Sequence, residues 1–254
     1  MDATAANLGA MIVTGGGRGI GAATARLAAS RGYAVCVNYL SRRDAADAVV
    51  AQITDAGGRA ICVAGDVAKE AEVARLFDEA QGKLGAISAL VNNAGILERQ
   101  ARLDEMEAAR FERVFATNIT GAFLCAREAV RRMSTRHGGK GGGIVNVSSA
   151  ASRLGSPGEY VDYAASKGAI DSMTIGLAKE VADEGIRVNA VRPGVIYTEI
   201  HASGGEPGRV DRVKSAVPMK RGGTPEEVAR AILWLLSPES SYSTGTFIEV
   251  SGGR

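Results

Sequence analysis

A chain of 254 residues, 46% hydrophobic and 23% charged, has the make-up of an ordinary globular protein and is long enough for a sizeable buried core. Its formal net charge of +2 comes from scattered rather than clustered Lys and Arg, which argues against nucleic acid or an anionic membrane as the main partner. Two distant histidines, His137 and His201, have no Cys or carboxylate cluster at ligand spacing, so no metal site is expected.

The cysteines Cys36, Cys62 and Cys125 sit in apolar runs and are odd in number, which reads as buried free thiols in a reducing compartment. The opening MDATAANLG has neither a cationic start nor an apolar core, so no signal peptide is expected. No apolar run approaches the roughly 20 residues that span a bilayer. These features predict a soluble, cytoplasmic protein.

Ala10-Met11-Ile12-Val13 reads as a first strand, followed by Thr14-Gly15-Gly16-Gly17-Arg18-Gly19-Ile20-Gly21 and an Ala-rich helix over 22–31. Strand, glycine turn and helix together suit a dinucleotide pyrophosphate. Glycines let the backbone approach the phosphates, and the helix N-terminus presents free N–H groups and a positive dipole end. A GxxxxGK[ST] loop is excluded, because no Lys-Ser/Thr follows the glycines.

Strand two is expected over 33–39, a helix over 42–56, strand three over 59–64 closing with Asp66, a helix over 68–83, and a strand through 89–91 into Asn92-Asn93-Ala94-Gly95. Alternating strands and helices with short links imply an α/β fold: a doubly wound parallel sheet of about seven strands, helices on both faces, in a single domain over 1–254. Ligands of such sheets sit at the carboxyl ends of the strands, where Gly15, Asn38, Asp66, Asn92, Ser149 and Pro193 fall.

Two helices are expected over 103–117 and 120–137, separated only by Asn118-Ile119. An Asn there competes for backbone hydrogen bonds, so it marks either a local kink or a residue whose side chain or backbone holds a water beside Lys167. Gly143–Val147 reads as a strand that breaks at Ser148-Ser149 into a loop with Gly155, Pro157 and Gly158, whose turn chemistry excludes a regular element. A helix then carries Tyr163 and Lys167. Four residues apart, they put a phenol and an ammonium on one face, where the cation should lower the phenol's pKa of about 10 toward the working range of an acid–base catalyst. A surface Tyr–Lys pair would show the same spacing.

The helix is expected to run on to about residue 183, followed by strand six over 186–191 ending in Arg192-Pro193-Gly194-Val195-Ile196-Tyr197-Thr198. Residues 199–221 lose periodicity and read as a mobile substrate loop or lid. Thr224-Pro225-Glu226-Glu227 starts a helix to 236 with an N-cap, a proline at N1 and early acids, before a last strand over 246–250.

Taken together, Thr14-Gly15-x-x-x-Gly19-x-Gly21, Asp66, Asn92-Asn93-Ala94-Gly95, Asn118, Ser148-Ser149, Tyr163-x-x-x-Lys167 and Pro193-Gly194 with Thr198 resemble the short-chain dehydrogenase/reductase family, over nearly the whole chain. The resemblance in 156–182 is to sugar-dehydrogenase-like and 3-oxoacyl-carrier-protein-reductase-like members. It implies an NAD(P)-dependent oxidoreductase that passes hydride between nicotinamide and a ketone or secondary alcohol, the substrate being a sugar, a polyol or a 3-oxoacyl group. Tyr163 would be the general acid–base. Lys167 would lower its pKa and bind the nicotinamide ribose, Ser149 would polarise the substrate oxygen, and Asn118 would anchor a relay water.

The implied cofactor set is Thr14, Gly15, Arg18, Gly19, Ile20, Gly21, Asn38, Tyr39, Ser41, Asp66, Val67, Asn92, Ala94, Gly95, Pro193, Gly194, Ile196 and Thr198, with Tyr163 and Lys167. Asp66 would contact the adenine; Asn92, Ala94 and Gly95 would wall the adenosine. Strand two ends Asn38-Tyr39-Leu40-Ser41-Arg42-Arg43 without an acid, and Arg18 adds a cation, so NADP(H) is expected over NAD(H).

The fourteen-residue interval from Ser149 to Tyr163 is one longer than is usual in the family. Either the intervening loop absorbs an insertion or Ser148 lies nearer the substrate; Ser149 is the favoured partner. A homotetramer is also implied, paired through helices over 120–137 and 160–183 and through the C-terminal helix and strand. The competing reading is a catalytically weak, NADP-binding regulatory protein of the same fold.

Overall fold

The computed structural model describes residues 8–254, so the expectation about the first residues lies largely outside the described part. The chain alternates β1 (Ala10–Val13), α1 (Gly19–Ser30), β2 (Ala34–Tyr39), α2 (Arg43–Asp55), β3 (Arg59–Ala64), α3 (Glu70–Leu84) and β4 (Ile87–Asn92). It continues through α4 (Ala108–Phe115), α5 (Gly121–Met133), β5 (Gly142–Val147), α6 (Ala151–Leu154), α7 (Val161–Glu180) and β6 (Ile186–Pro193). Two short helices, α8 (Ile200–Ser203) and α9 (Arg209–Val213), precede α10 (Pro225–Leu236) and β7 (Phe247–Val250).

All seven strands pair in parallel, in the order β3-β2-β1-β4-β5-β6-β7. The order reverses between β1 and β4, which opens a crevice at their carboxyl ends. The strands are apolar throughout because both faces are covered. Ala10, Ile12 and Cys36 pack with α3, α5 and α7, while Met11, Val13, Val35 and Val37 pack with α1, α2 and α10. Cys36 and Cys125 are buried free thiols, their pKa values pushed up to about 12 by burial. Cys62 departs from expectation: it is only partly buried, with its thiol 3.1 Å from Asp47 Oδ1. No described helix is long and apolar enough to cross a membrane.

Three expectations need correction. The break at Asn118 is a π-turn over Ala116–Thr120, in which the Gly121 N–H reaches back five residues to the Ala116 carbonyl, so α4 and α5 stay continuous. The segment after Ser149 contains the one-turn helix α6. It ends because Gly155 (φ +73°) and Ser156 (φ +47°) are left-handed, and Gly158 (φ +72°) turns the chain into α7. Residues 199–221 also hold α8, α9 and a 3₁₀ turn, Lys214–Ala216; helices this short leave no periodic signature to read. At α10 the cap stands as expected: Thr224 Oγ1 accepts from Glu227 N (3.3 Å), and Glu227 Oε2 accepts from Thr224 N (2.8 Å).

Candidate active site

The strand ends converge on one cleft of about 890 Å³. Eighteen of the predicted residues line it: Gly15, Arg18, Gly19, Ile20, Asn38, Tyr39, Ser41, Asp66, Val67, Ala94, Gly95, Ser149, Tyr163, Lys167, Pro193, Gly194, Ile196 and Thr198. Thr14, Gly21, Asn92 and Asn118 lie behind its wall.

Thr14 is buried, and its hydroxyl accepts hydrogen bonds from Asn93 N and Ala94 N, both at 3.0 Å. A Cβ on Gly21 would stand 2.5 Å from the Gly15 carbonyl oxygen, so this glycine lets α1 close on the loop. Asn92 departs from the expected adenosine wall. The β4–β5 register pairs it with Asn146, and its Nδ2 donates to Asn146 Oδ1 (3.0 Å) and Ala122 O (3.1 Å), on the side away from the cleft. The next residue, Asn93, turns the other way and clamps the glycine loop through Nδ2 to Thr14 O (2.8 Å) and Gly15 O (3.1 Å). Asn38 braces the loop from the opposite side, its Oδ1 accepting from Gly15 N at 3.3 Å.

The loop fits a pyrophosphate on this chain's own geometry. Gly15 (φ +60°) and Gly19 (φ +52°) are left-handed, and a Cβ on either would meet Ala94 Cα at 3.1 Å or Thr198 Cγ2 at 3.2 Å. No side chain caps the α1 N-terminus and no acid lies in its first turn, so its N–H groups and dipole remain available to an anion. Arg18 is exposed at that end with no ion-pair partner among the described residues.

Tyr163 and Lys167 share the inner face of α7. The Lys167 ammonium lies 5.5 Å from the Tyr163 ring centroid and donates to Val147 O at 2.8 Å, which leaves two of its three N–H donors for a ligand. Ser149 lines the same cleft, its Oγ accepting from Ala151 N at 3.1 Å, and its hydroxyl draws the Tyr163 pKa downward. Ser148 is spent elsewhere, donating to Asp171 Oδ1 at 2.6 Å. With Ser148 held by Asp171, Ser149 is the one of the pair whose hydroxyl is left to the cleft.

The electrostatics differ from the sequence expectation. Burial pushes the Tyr163 phenol up to about 12, opposed only by the Ser149 hydroxyl. Burial also pulls the Lys167 ammonium down to about 8, opposed by Asp171. In the protein alone, desolvation of both groups outweighs their mutual effect.

Of the two ways in which Asn118 could hold a water, the structure narrows the choice to its main chain. Its Oδ1 accepts from Ile96 N (2.8 Å), and its Nδ2 donates to Ile96 O (3.1 Å) and Ser166 Oγ (3.1 Å), so the side chain is not free to hold a water.

Sequence reasoning missed Asn93, the buried bidentate pair of Arg110 with Asp162 (2.7 and 3.0 Å), and Asp171, which links Ser148 to Arg192. Asn93 stood within a quoted motif; the others meet partners too distant in sequence for any spacing signal.

A glycine loop under a helix N-terminus, opening beside a half-buried Tyr163 and a buried Lys167, defines a dinucleotide-binding oxidoreductase of the parallel-sheet class. A family model described as "Enoyl-(Acyl carrier protein) reductase" matches residues 15–254. The chain is 60% identical to the "Uncharacterized oxidoreductase YgfF" of Escherichia coli (strain K12), over 96% of this chain and 98% of that one. It is 41% identical to a "3-oxoacyl-[acyl-carrier-protein] reductase" of Synechocystis sp., covering 95% of each chain. A short chain dehydrogenase from Burkholderia cenocepacia J2315, solved in complex with NADP, superposes with a TM-score of 0.90 at 31% identity, over 98% of this chain and 99% of that one. The chain belongs to the short-chain dehydrogenase/reductase family and is an oxidoreductase of CH–OH/C=O groups whose fold binds a nicotinamide cofactor.

Proposed function

We propose that this cleft interconverts a ketone and a secondary alcohol, with Tyr163 as the general acid–base. The observation that carries this reading is that Tyr163, with the Lys167 ammonium 5.5 Å from its ring centroid, shares one cleft with Ser149 and with the phosphate-fitting loop. A bound nicotinamide would supply or accept the hydride. Gly15, Gly19 and the α1 N-terminus would hold its pyrophosphate, and Lys167 its ribose. With its pKa near 12, Tyr163 is protonated at neutral pH and is set to give its proton to a carbonyl oxygen that Ser149 orients. In the reverse direction, the Ser149 hydroxyl and the Lys167 charge favour the phenolate. With the Asn118 side chain committed, a relay water would rest on its main-chain carbonyl.

NADP(H) is the proposed cofactor. The end of β2 presents Asn38, Tyr39 and Ser41 to the cleft but no acid, and Arg18 offers an unpaired cation. Arg42 contributes less, being held by Asp44 at 2.8 and 3.0 Å. The whole chain is proposed as one cytoplasmic catalytic unit with residues 199–221 as its lid. It is further proposed to form a homotetramer, a reading supported by exposed Phe123 and Ile175 and by Gly168 and Gly176, which face open space on α7.

Reduced-nicotinamide absorbance, followed with a ketone and alcohol panel and both cofactors, tests the chemistry. Tyr163→Phe should lower kcat by about 100-fold or more, the scale of a lost general acid. Full activity in Tyr163→Phe, or a tenfold preference for NAD, would overturn the respective part. Ser149→Ala should cost far more than Ser148→Ala.

A further inference from the structure

Among the described residues five buried side-chain polar atoms have no hydrogen-bond partner, and three of them belong to residues lining the cleft: the Tyr160 hydroxyl, His201 Nδ1 and Arg209 Nη1. The other two, on Asn92 and Arg127, belong to residues outside it. An unpaired buried polar atom destabilises a fold, so three gathered at one site call for a partner that the protein does not supply.

The three residues come from different elements of the cleft wall, two of them from the lid itself. Tyr160 caps the start of α7, just ahead of Tyr163, and is 2% exposed; His201 lies in α8 and is 9% exposed. Arg209, from α9, stacks its guanidinium 5.1 Å from the Tyr160 ring centroid and pairs through Nη2 with Glu159 at 2.6 Å, while its Nη1 stands 3.9 Å from Glu206 Oε2, within ion-pair range but beyond hydrogen-bond reach.

Their chemistry is specific. His201 Nε2 stands 3.0 Å from the Ile196 carbonyl, which can only accept, so Nε2 carries the proton and Nδ1 presents a lone pair. Burial, with a contribution from Arg209, holds this imidazole's pKa below the usual value and so keeps it neutral. Arg209 Nη1 can only donate, and the Tyr160 hydroxyl can do either. A ligand must therefore offer a donor to His201 and an acceptor to Arg209, which hydroxyl groups do and a carboxylate does not. Nor is there net charge to attract an anion: Arg209 and Arg212 are matched by Glu159 and Glu206. An unsubstituted acyl chain would leave all three atoms unpaired.

We infer that Tyr160, His201 and Arg209 form a hydroxyl-recognising subsite, and that the substrate is an uncharged, polyhydroxylated ketone or secondary alcohol of the sugar or polyol class. This rests on the reading of Tyr163 as the reacting group of the same cleft. Substrate entry exposes the three atoms by shifting α8 and α9, which are joined through Gly204, Gly205 and Gly208.

The test compares erythritol, xylitol and sorbitol with butan-2-ol, pentan-2-ol and hexan-2-ol, using NADP+ as oxidant. The polyols should be favoured at least 100-fold in kcat/KM, since a site built to bind hydroxyls rejects analogues lacking them by roughly 10⁴ or more in favourable cases. Tyr160→Phe, which keeps the ring under Arg209, should lower kcat/KM for polyols about tenfold and leave the alkanols unchanged; His201→Gln serves as a second variant, with folding checked by melting. Preference for the alkanols, for 3-hydroxybutyrate or for a 3-oxoacyl thioester would overturn the subsite, as would equal losses on both series. Calorimetric binding of the same alcohols to Tyr163→Phe separates the two readings. If that variant retains turnover the catalytic reading fails, whereas absence of polyol binding to it overturns the subsite alone.

Discussion

The cofactor end of the cleft and its lid are built from different interactions. The glycine loop is clamped by neutral, part-buried hydrogen bonds of 2.8–3.3 Å involving Thr14, Asn38 and Asn93, and Gly15 and Gly21 pack against main chain. The lid is held mainly by partly exposed ion pairs, Glu206 with Arg212 and Glu159 with Arg209 and Arg212, and by packing of Gly204 and Gly205 on Leu97 and Arg99. Hydrogen bonds between buried neutral groups fix a geometry that a constant ligand can rely on. Exposed ion pairs contribute about 0–1 kcal/mol each, so they let a segment move at little cost. The difference suits one end to an invariant nucleotide and the other to a substrate that must enter and leave.

The strongest challenge to this contrast is Gly21→Val. Its side chain would collide with the Gly15 carbonyl and Gly16 Cα, neither of which can yield. Cofactor affinity should fall by about 100-fold or more, and stability by about 1–3 kcal/mol, by titration calorimetry and thermal melts. A variant that binds cofactor normally would show that the loop is not the rigid half.

Arg110→Ala tests the floor on which the catalytic helix rests. It strands the buried Asp162 carboxylate beside Tyr163, and chemical denaturation should report a loss of about 3–5 kcal/mol.

Lys167 sharpens the comparison electrostatically. Its folded-state pKa, about 8, lies below the ordinary lysine value of 10.5, so the native state holds fewer protons than the unfolded chain between those pH values. Stability should therefore rise with pH from about 8 to 10.5, the buried charge costing on the order of 3 kcal/mol at neutral pH. Lys167→Met should raise the melting temperature at pH 7 and flatten that rise while removing most activity. In the native enzyme, kcat/KM should decline as pH climbs through 8 and the ammonium is lost. A melting temperature that falls from pH 8 to 10 in the native protein would contradict the assignment.

The smallest effect belongs to the lid. Glu206→Gln loosens its contacts with Arg212, Arg209 and Gln100, yet stability should change by less than about 1 kcal/mol, with KM for substrate moving severalfold and cofactor affinity unchanged. A large loss of stability would mean that the lid is as rigid as the loop.

Much of this was legible in residue order, because the signals are local. Apolar strands alternating with helices, glycines ahead of α1, the Thr224–Glu227 cap and the four-residue step from Tyr163 to Lys167 each act within one turn or one strand. They determined the sheet, the glycine loop and the placing of Tyr163 beside Lys167. What the chain order left open depended on contacts between residues far apart. The turn of Asn92 away from the cleft and of Asn93 toward the loop follows from register with β5 and packing on α5. Asp171 taking Ser148, and thereby leaving Ser149 to the cleft, needed β5 and α7 in place. The direction of both pKa shifts was also a tertiary matter. Spacing reveals a neighbouring charge, but only the closed structure sets how much water is removed, and here desolvation is the larger effect.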